Sequence, residues 1–182
     1  MTPALTFRPA TLPDYDTIAR LHALSWQHTY RGMMRDDYLD GEVVEERLAV
    51  WQERLSQDDP RRLVLLAERD GVCVGFVCAL LDHDPIWGDF IDNLHVRPDL
   101  KGSGIGARLM LEATGWFKQA RPGGPFYLWV LEDNHGARRF YERLGATNQE
   151  RVVRATPFSP ESRELRYCWA NAAAIEAFFE QP

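Results

Sequence analysis

The stretch Leu94-His95-Val96-Arg97-Pro98-Asp99-Leu100-Lys101-Gly102-Ser103-Gly104-Ile105-Gly106-Ala107 decides how this chain folds. An apolar run stops at Pro98, three glycines alternate with other residues, and a segment begins whose Ile105, Leu109, Ala113, Trp116 and Phe117 share one helical face. Glycine lets backbone amides approach a ligand with no Cβ in the way. A helix start adds unpaired N–H groups and a partial positive charge. A strand, a glycine loop and a helix from about 102 to 120 therefore make a diphosphate site. Two nucleotide motifs fit poorly. A dinucleotide loop needs G-x-G-x-x-G, whereas Gly102, Gly104 and Gly106 give G-x-G-x-G with no acid near position 124. A triphosphate loop needs Gly-Lys five residues after its first glycine, and Ala107 stands there.

Working outward, Phe90 to Val96 reads as a strand, and 72–81 as its upstream neighbour, broken at His83-Asp84-Pro85. Asp70-Gly71 turns that strand back onto another over 63–68. Before these come an edge strand over 7–11 and a helix from Asp14, as its cap, to about Trp26. A loop over 30–34 and a helix over about 42–57 follow. Downstream lie a strand over 126–131, a helix over 134–144 stopped by Gly145, strands over about 148–154 and 163–169, and a tail helix. The strand-helix-strand unit in the middle implies parallel pairing there, and the hairpins around it imply antiparallel pairs. The expected fold is α/β (α+β mixed), with a mostly antiparallel mixed sheet of about 6–7 strands and helices on both faces. One domain would cover 1–170 and a short tail helix 171–182.

With 182 residues, 45% hydrophobic and 26% charged, the chain can bury a core without a disulfide or metal staple. No uncharged run approaches the ~18–20 apolar residues of a membrane helix, and the first residues lack the pattern of a secretory signal. No membrane partner is expected. Cys73 and Cys78, five apart in one strand, would face opposite sides of a sheet; with Cys168 they read as core thiols of a cytoplasmic protein. None has the spacing of a zinc ligand, so no metal is expected. The net charge of −6 disfavours nucleic acid. Yet residues 97–154 hold ten Lys/Arg against six Asp/Glu, so one stretch is suited to an anion.

The loop Lys101-x-x-Gly104-x-Gly106 resembles the Q/R-x-x-G-x-G/A acyl-CoA loop of the GNAT superfamily of acetyl-CoA-dependent N-acetyltransferases, with Lys101 in place of the usual Gln or Arg. Asn134-His135-Gly136-Ala137-Arg138-Arg139-Phe140-Tyr141-Glu142-Arg143-Leu144-Gly145 resembles its N-x-x-A-x-x-F-Y-x-x-x-G segment. The opening Phe-Arg-Pro-Ala-Thr, the run from Leu24 to Gly32 and the run from Ile91 to Pro98 are also similar to members of this family.

The resemblance implies acetyl-CoA as co-substrate and an amine as acceptor, with a homodimer common among similar proteins. The pantetheine arm would lie against the backbone of Leu94, His95 and Val96. The diphosphate would lie on Gly102, Ser103, Gly104, Ile105, Gly106 and Ala107 beside Lys101, with Asn134 and Ala137 against the cofactor. Tyr141 becomes the candidate general acid, because a phenol near pKa ~10 can protonate a departing thiolate; helical periodicity alone reads it as core. Asp92, which shares strand parity with Leu94 and Val96, is the candidate base. His95 has the opposite parity and reads as a packed or exposed side chain. Glu132 and Asp133 read as helix caps, and Arg138, Arg139 and Arg143 as candidates for the CoA 3′-phosphate. Trp26 and Tyr30 are the candidate substrate wall. The expected activity is direct transfer to a primary amine of a small molecule. The rivals are a non-catalytic acyl-CoA binder and acetylation of a protein lysine or N-terminus. Trp129 stands where some protein-acetylating members carry a glutamate, which weakens the last; the acidic helix 42–57 could still draw a basic tail.

Overall fold

The computed structural model describes residues 4–180, so the first three residues and the last two of the expected tail lie outside the described residues. The apolar runs form seven strands: β1 (Leu5–Pro9), β2 (Arg62–Arg69), β3 (Val72–Asp84), β4 (Gly88–Val96), β5 (Phe126–Leu131), β6 (Thr147–Thr156) and β7 (Ser159–Trp169). They make one sheet in the order β1-β2-β3-β4-β5-β7-β6. The helices are α1 (Tyr15–Thr29), α2 (Asp36–Asp40), α3 (Val43–Ser56), α4 (Ile105–Ala120), α5 (His135–Arg143) and α6 (Ala173–Glu180). Among these seven strands only β4 and β5 pair in parallel, and α4 supplies the crossover such a pair requires. Ile18, Leu21 and Trp51 of α1 and α3 pack with Leu66, Phe76 and Cys78 on one face. Leu109, Met110 and Phe117 of α4 pack on the other with Val77, Phe126 and Leu128. The mixed, mostly antiparallel sheet with helices on both faces is as the sequence implied.

Local geometry corrects several details. The helix expected from Gly102 starts at Ile105, because Gly102 and Gly104 both take φ +83° and remain in the loop. Asp14 does not cap α1: its carboxylate bonds back to the Thr11 amide at 2.7 Å and to Arg8 at 2.7 and 2.9 Å. The helix also runs on to Thr29, and the short α2 is an addition. The break at His83-Asp84-Pro85 falls later than expected, since β3 reaches Asp84, whose carboxylate turns the chain by accepting from the Ile86 and Trp87 amides. Cys73 and Cys78 do not face opposite sides. A bulge after Ala67 and Glu68 skips Val74 on β3, and both thiols pack against the same apolar cluster. They remain unbridged, being ~16 Å apart along a strand at ~3.3 Å per residue.

The feature that positions the site is the brevity of the β4–β5 pairing. The two strands share ladder positions only at Asp89↔Phe126 and Phe90↔Tyr127, then part. At the vertex, Gly88 takes φ +81°, and a Cβ there would stand 2.1 Å from the Pro125 carbonyl oxygen. Asp89, next along, donates its amide to that same oxygen at 3.1 Å. Its buried carboxylate accepts from the Asp82 amide at 2.9 Å and faces Arg121 at 3.6 Å. Gly88→Ala should therefore be severely destabilising: strained φ and a backbone clash together cost about 3 kcal/mol or more. At ~2–4 °C per kcal/mol in a chain of this size, thermal unfolding should show a Tm lower by roughly 6–12 °C.

Candidate active site

Where β4 and β5 part, a cavity of about 660 Å³ opens. Leu94, His95 and Val96 line it from β4, Trp129 and Val130 from β5. Past Phe90 the β5-facing edge of β4 has no strand partner, so its backbone groups are available to an extended ligand. The floor is the start of α4. Arg108 is the first residue of that helix to bond back, to Gly104 O at 3.1 Å, which leaves the amides of Ile105, Gly106 and Ala107 without intrahelical partners. A Cβ on Gly102 or Gly104 would meet nothing within 4 Å, so glycine supplies the backbone angle there. At Gly106 the constraint is space: a Cβ would sit 3.4 Å from Phe140 Cζ and 3.7 Å from Val96 Cγ2.

The flanking residues divide. Lys101 lines the cavity and reaches across it, donating to Thr29 Oγ1 at the end of α1 at 2.7 Å. Ser103 is off the wall, with its hydroxyl bonded to Leu100 O at 2.6 Å. On the opposite side Asn134 caps α5, its Oδ1 accepting from the Ala137 amide at 3.2 Å. The cap expected of Glu132 and Asp133 is thus Asn134's; Glu132 pairs with Arg151 at 2.8 Å. Ala137 and Tyr141, one turn apart on α5, both line the cavity. The Tyr141 ring packs edge-on against Phe140 and Trp169. Burial raises its phenol well above the ordinary range, aided by nearby Tyr30. Tyr141 is thus at once a core aromatic and a cavity residue.

Tyr30 lines the cavity, and burial pushes its phenol up to about 12. Trp26 lies behind it, off the wall, among Tyr30, Tyr38 and Phe158, with the Arg47 guanidinium 4.7 Å over its ring. His95 is packed: its ring lies 4.4 Å from that of His22, and its Nδ1 shares a 2.9 Å hydrogen bond with Ser25 Oγ. His22 Nδ1 in turn accepts from Trp51 Nε1 at 3.0 Å. Burial holds both imidazoles neutral, His95 lowered to about 3 and His22 well below the ordinary value, with Lys101, Arg47 and Arg54 acting in the same direction.

Asp92 departs from expectation. Cys78 pairs with Asn93 and Ala79 with Ile91, so Asp92 is the extra residue of a bulge and strand parity does not assign its direction. Its carboxylate meets Arg54 of α3 at 2.6 Å, with Asn93 Oδ1 accepting from the same guanidinium nitrogen at 3.0 Å. Among the described residues lining the cavity there is no carboxylate. Of the three candidate arginines, only Arg143 reaches the wall; Arg138 is bonded to Tyr167 Oη and Glu132 O. Sequence reasoning missed Ser25, Thr29, Trp129, Phe178 and Phe179 as wall residues. Trp129 alone had a signal, its alternation with the core residues Leu128 and Val130.

The acetyltransferase (GNAT) family profile matches residues 18–146. The chain is 33% identical over 145 residues to an uncharacterized N-acetyltransferase of Archaeoglobus fulgidus, covering 75% of this chain and 89% of that one. In structure it is similar to the PaiA N-acetyltransferase of Thermoplasma acidophilum solved with coenzyme A: TM-score 0.72, 20% identity, 92% of this chain and 99% of that one. It is also similar to the acetyltransferase YncA of Salmonella typhimurium solved with acetyl-CoA: TM-score 0.63, 19% identity, 92% and 94% covered.

The buried imidazole pair makes stability depend on pH in a stated direction. Folded-state values below the ordinary 6.5 mean that the unfolded chain binds more protons below pH 6.5. The contribution is complete above that value and is lost as pH falls toward the folded-state values. Tm should fall between pH 6.5 and 5, above the range where carboxylates titrate, and His95→Gln should flatten that slope in a pH series of thermal melts.

Proposed function

The chain belongs to the GNAT acetyltransferase family, and from that premise we propose that it transfers the acetyl group of acetyl-CoA directly to a primary amine on a small molecule. The observation that carries this reading is the unpaired edge of β4 leading onto the free amides of α4 in one cavity. Acetyl-CoA, when bound, supplies a thioester whose carbonyl and sulfur both call for hydrogen-bond donors during transfer. Backbone groups of Leu94, His95 and Val96 hold the pantetheine arm in the manner of an added strand. The amides of Gly104, Ile105, Gly106 and Ala107 take the diphosphate, with Gly102 shaping the approach and Lys101 adding charge. Ser103 supports the loop through Leu100. Asn134 and Ala137 close the far side.

Tyr141 is the proposed acid. Its raised pKa keeps the phenol protonated through neutral and mildly alkaline pH, as a donor to the leaving thiolate must be. Asp92 is not kept as base, because Arg54 holds it off the wall. With no carboxylate on the cavity wall among the described residues, the ammonium loses its proton to solvent and the neutral amine attacks.

A small acceptor is favoured by the roof over the aromatic side. The β6–β7 tip is tied to the segment after α1 by the Arg35 amide bonded to Phe158 O at 2.9 Å, and Phe158 packs 4.7 Å from Tyr38. Tyr30 and Trp129 wall the approach beneath this roof, with Trp26 supporting Tyr30. Three free thiols suit a reducing cytoplasm, and a homodimer, which the resemblance implies, would be read from the mass in solution. The deciding experiment is release of CoA with a panel of small amines and basic peptides. Release with small amines supports the reading; release with peptides alone makes the acceptor a protein; CoA binding without release makes the chain a non-catalytic binder.

Tyr141→Phe removes one hydroxyl and little volume. It should lower kcat by ~10²-fold or more, with acetyl-CoA affinity and Tm nearly unchanged, in steady-state kinetics beside calorimetry. Asp92→Asn separates the corrected role from the expected one. It should leave the pH profile of kcat/KM unchanged, rising with the amine's own ionisation. It should also lower stability by about 1–3 kcal/mol, from loss of a charged hydrogen bond, as read by denaturant unfolding.

A further inference from the structure

The sheet ends on β6, and the outer edge of that strand has no strand partner among the described residues. Proteins that stay monomeric blunt such edges with shortness, proline, lysine or bulges. The opposite edge, β1, is five residues long and ends at Pro9. β6 is ten residues long with neither proline nor lysine. Its ladder to β7 slips between Asn148 and Glu150 and again between Arg154 and Thr156, so 150–154 is the regular part. Just past β5, Glu132 donates its amide to Arg163 O at 2.8 Å. Arg163 therefore directs its backbone groups toward β5, and Glu164 directs its own toward β6. Val152, opposite Glu164, bonds inward, and Arg151 and Val153 point their N–H and C=O out of the edge. Val153 also leaves an apolar side chain 52% exposed there.

We propose that residues 150–154 of β6 pair antiparallel with the same residues of a second copy of this chain, about a twofold axis at Val152. The inference gives the homodimer named above a surface, and it does not depend on the acyl-transfer reading. The stretch Glu150-Arg151-Val152-Val153-Arg154 is self-complementary about its centre. A twofold there sets Arg151 opposite the partner's Val153. These are the residues whose backbone groups point outward, so their hydrogen bonds form reciprocally. Glu150 comes opposite the partner's Arg154 on one face, in a pair of the closely spaced kind. Arg166 already meets Glu150 at 2.8 Å, whereas Arg154 meets Glu164 only at 3.6 Å. The join therefore completes an alternating row of Arg166, Glu150, the partner's Arg154 and the partner's Glu164. On the other face, exposed Val153 lies against the stem of the partner's Arg151. Other registers fit worse. An axis at Arg151 opposes like charges, and an axis at Val153 leaves Glu150 and Arg154 unmatched. The join also reaches the cavity, because Arg154 lies 4.6 Å over the ring of Trp129, a wall residue.

The test is the mass of the full chain in solution, by sedimentation across a dilution series from near-millimolar to submicromolar concentration. The wild type should fall from dimer to monomer mass on dilution, because a short strand pairing buries less than the ~1,200–2,000 Å² of a stable interface. Val153→Pro removes an outward N–H and costs no bond to β7. It should be monomeric throughout, with the Tm of the dilute wild type. Arg154→Glu and Glu150→Arg should each be monomeric alone, since like charges then face each other across the axis. An equimolar mixture of the two should form a heterodimer, in which every facing pair is again of opposite charge. A wild type that is monomeric at every concentration overturns the homodimer and this surface together. A dimer that survives Val153→Pro, or folded charge variants that stay apart when mixed, overturns this surface and leaves the homodimer reading standing. If either charge variant fails to fold, Val153→Pro decides alone.

Discussion

Two parallel strands that share ladder positions at only two residues hold this molecule open. A β-strand edge buried without a partner is costly, because each N–H and C=O must be satisfied. Here the cost is contained by keeping the unpaired part short and lining it with a cavity, while β3 pairs the other edge of β4 up to Val96. The vertex is correspondingly rigid. Gly88 lets the backbone of β4 touch Pro125, and the Asp82–Asp89–Arg121 cluster fastens the adjoining turn. The site in turn depends on that vertex, because the angle between β4 and β5 sets the distance from Leu94 and Val96 to Trp129 and Val130.

Charge around the cavity is arranged to the same end. Arg54 holds Asp92, Arg151 holds Glu132, and Arg166 holds Glu150 while its guanidinium lies 4.2 Å from the Trp129 ring centre. Carboxylates near the fork are thereby kept from an anionic ligand. What faces inward is amide N–H, phenol, aromatic ring, and the basic side chains of Lys101, Arg108 and Arg143. Desolvation lowers the Lys101 ammonium and raises the Tyr30 and Tyr141 phenols, so both phenols stay neutral hydrogen-bond donors.

Particular residues show where sequence reasoning carried and where it stopped. The glycine loop was placed because the loop, the strand before it and the helix after it are all local features. The parity of Leu94, His95 and Val96 held because that end of β4 pairs regularly with β3. The same parity failed at Asp92, two residues upstream, because a bulge adds one residue and turns the side chain to Arg54. It failed likewise for Cys73, where skipping Val74 brings two thiols expected on opposite faces onto one cluster. A bulge leaves no mark in a hydrophobic pattern, since it is set by how neighbouring strands coil against each other. Asp14 was a plausible cap by residue type, but Arg8, arriving from β1, claimed its carboxylate.

The sequence by itself determined the order of the strands and of every helix but α2, the crossover unit, the phosphate loop and the α5 segment that carries Ala137 and Tyr141. All of these rest on periodicity, turn chemistry and short spacings, which act over a few residues. Tertiary structure alone decided which side chains meet at the fork. Ser25 and His95 lie 70 positions apart and share a hydrogen bond; Lys101 reaches Thr29 across 72; Phe179 arrives at the mouth of a cavity whose floor was laid down at Ile105. Such meetings follow from the twist of the sheet, the bulges in β3 and β4, and the packing of α1 and α6 against it. Those are properties of the assembled layers, and no local pattern carries them.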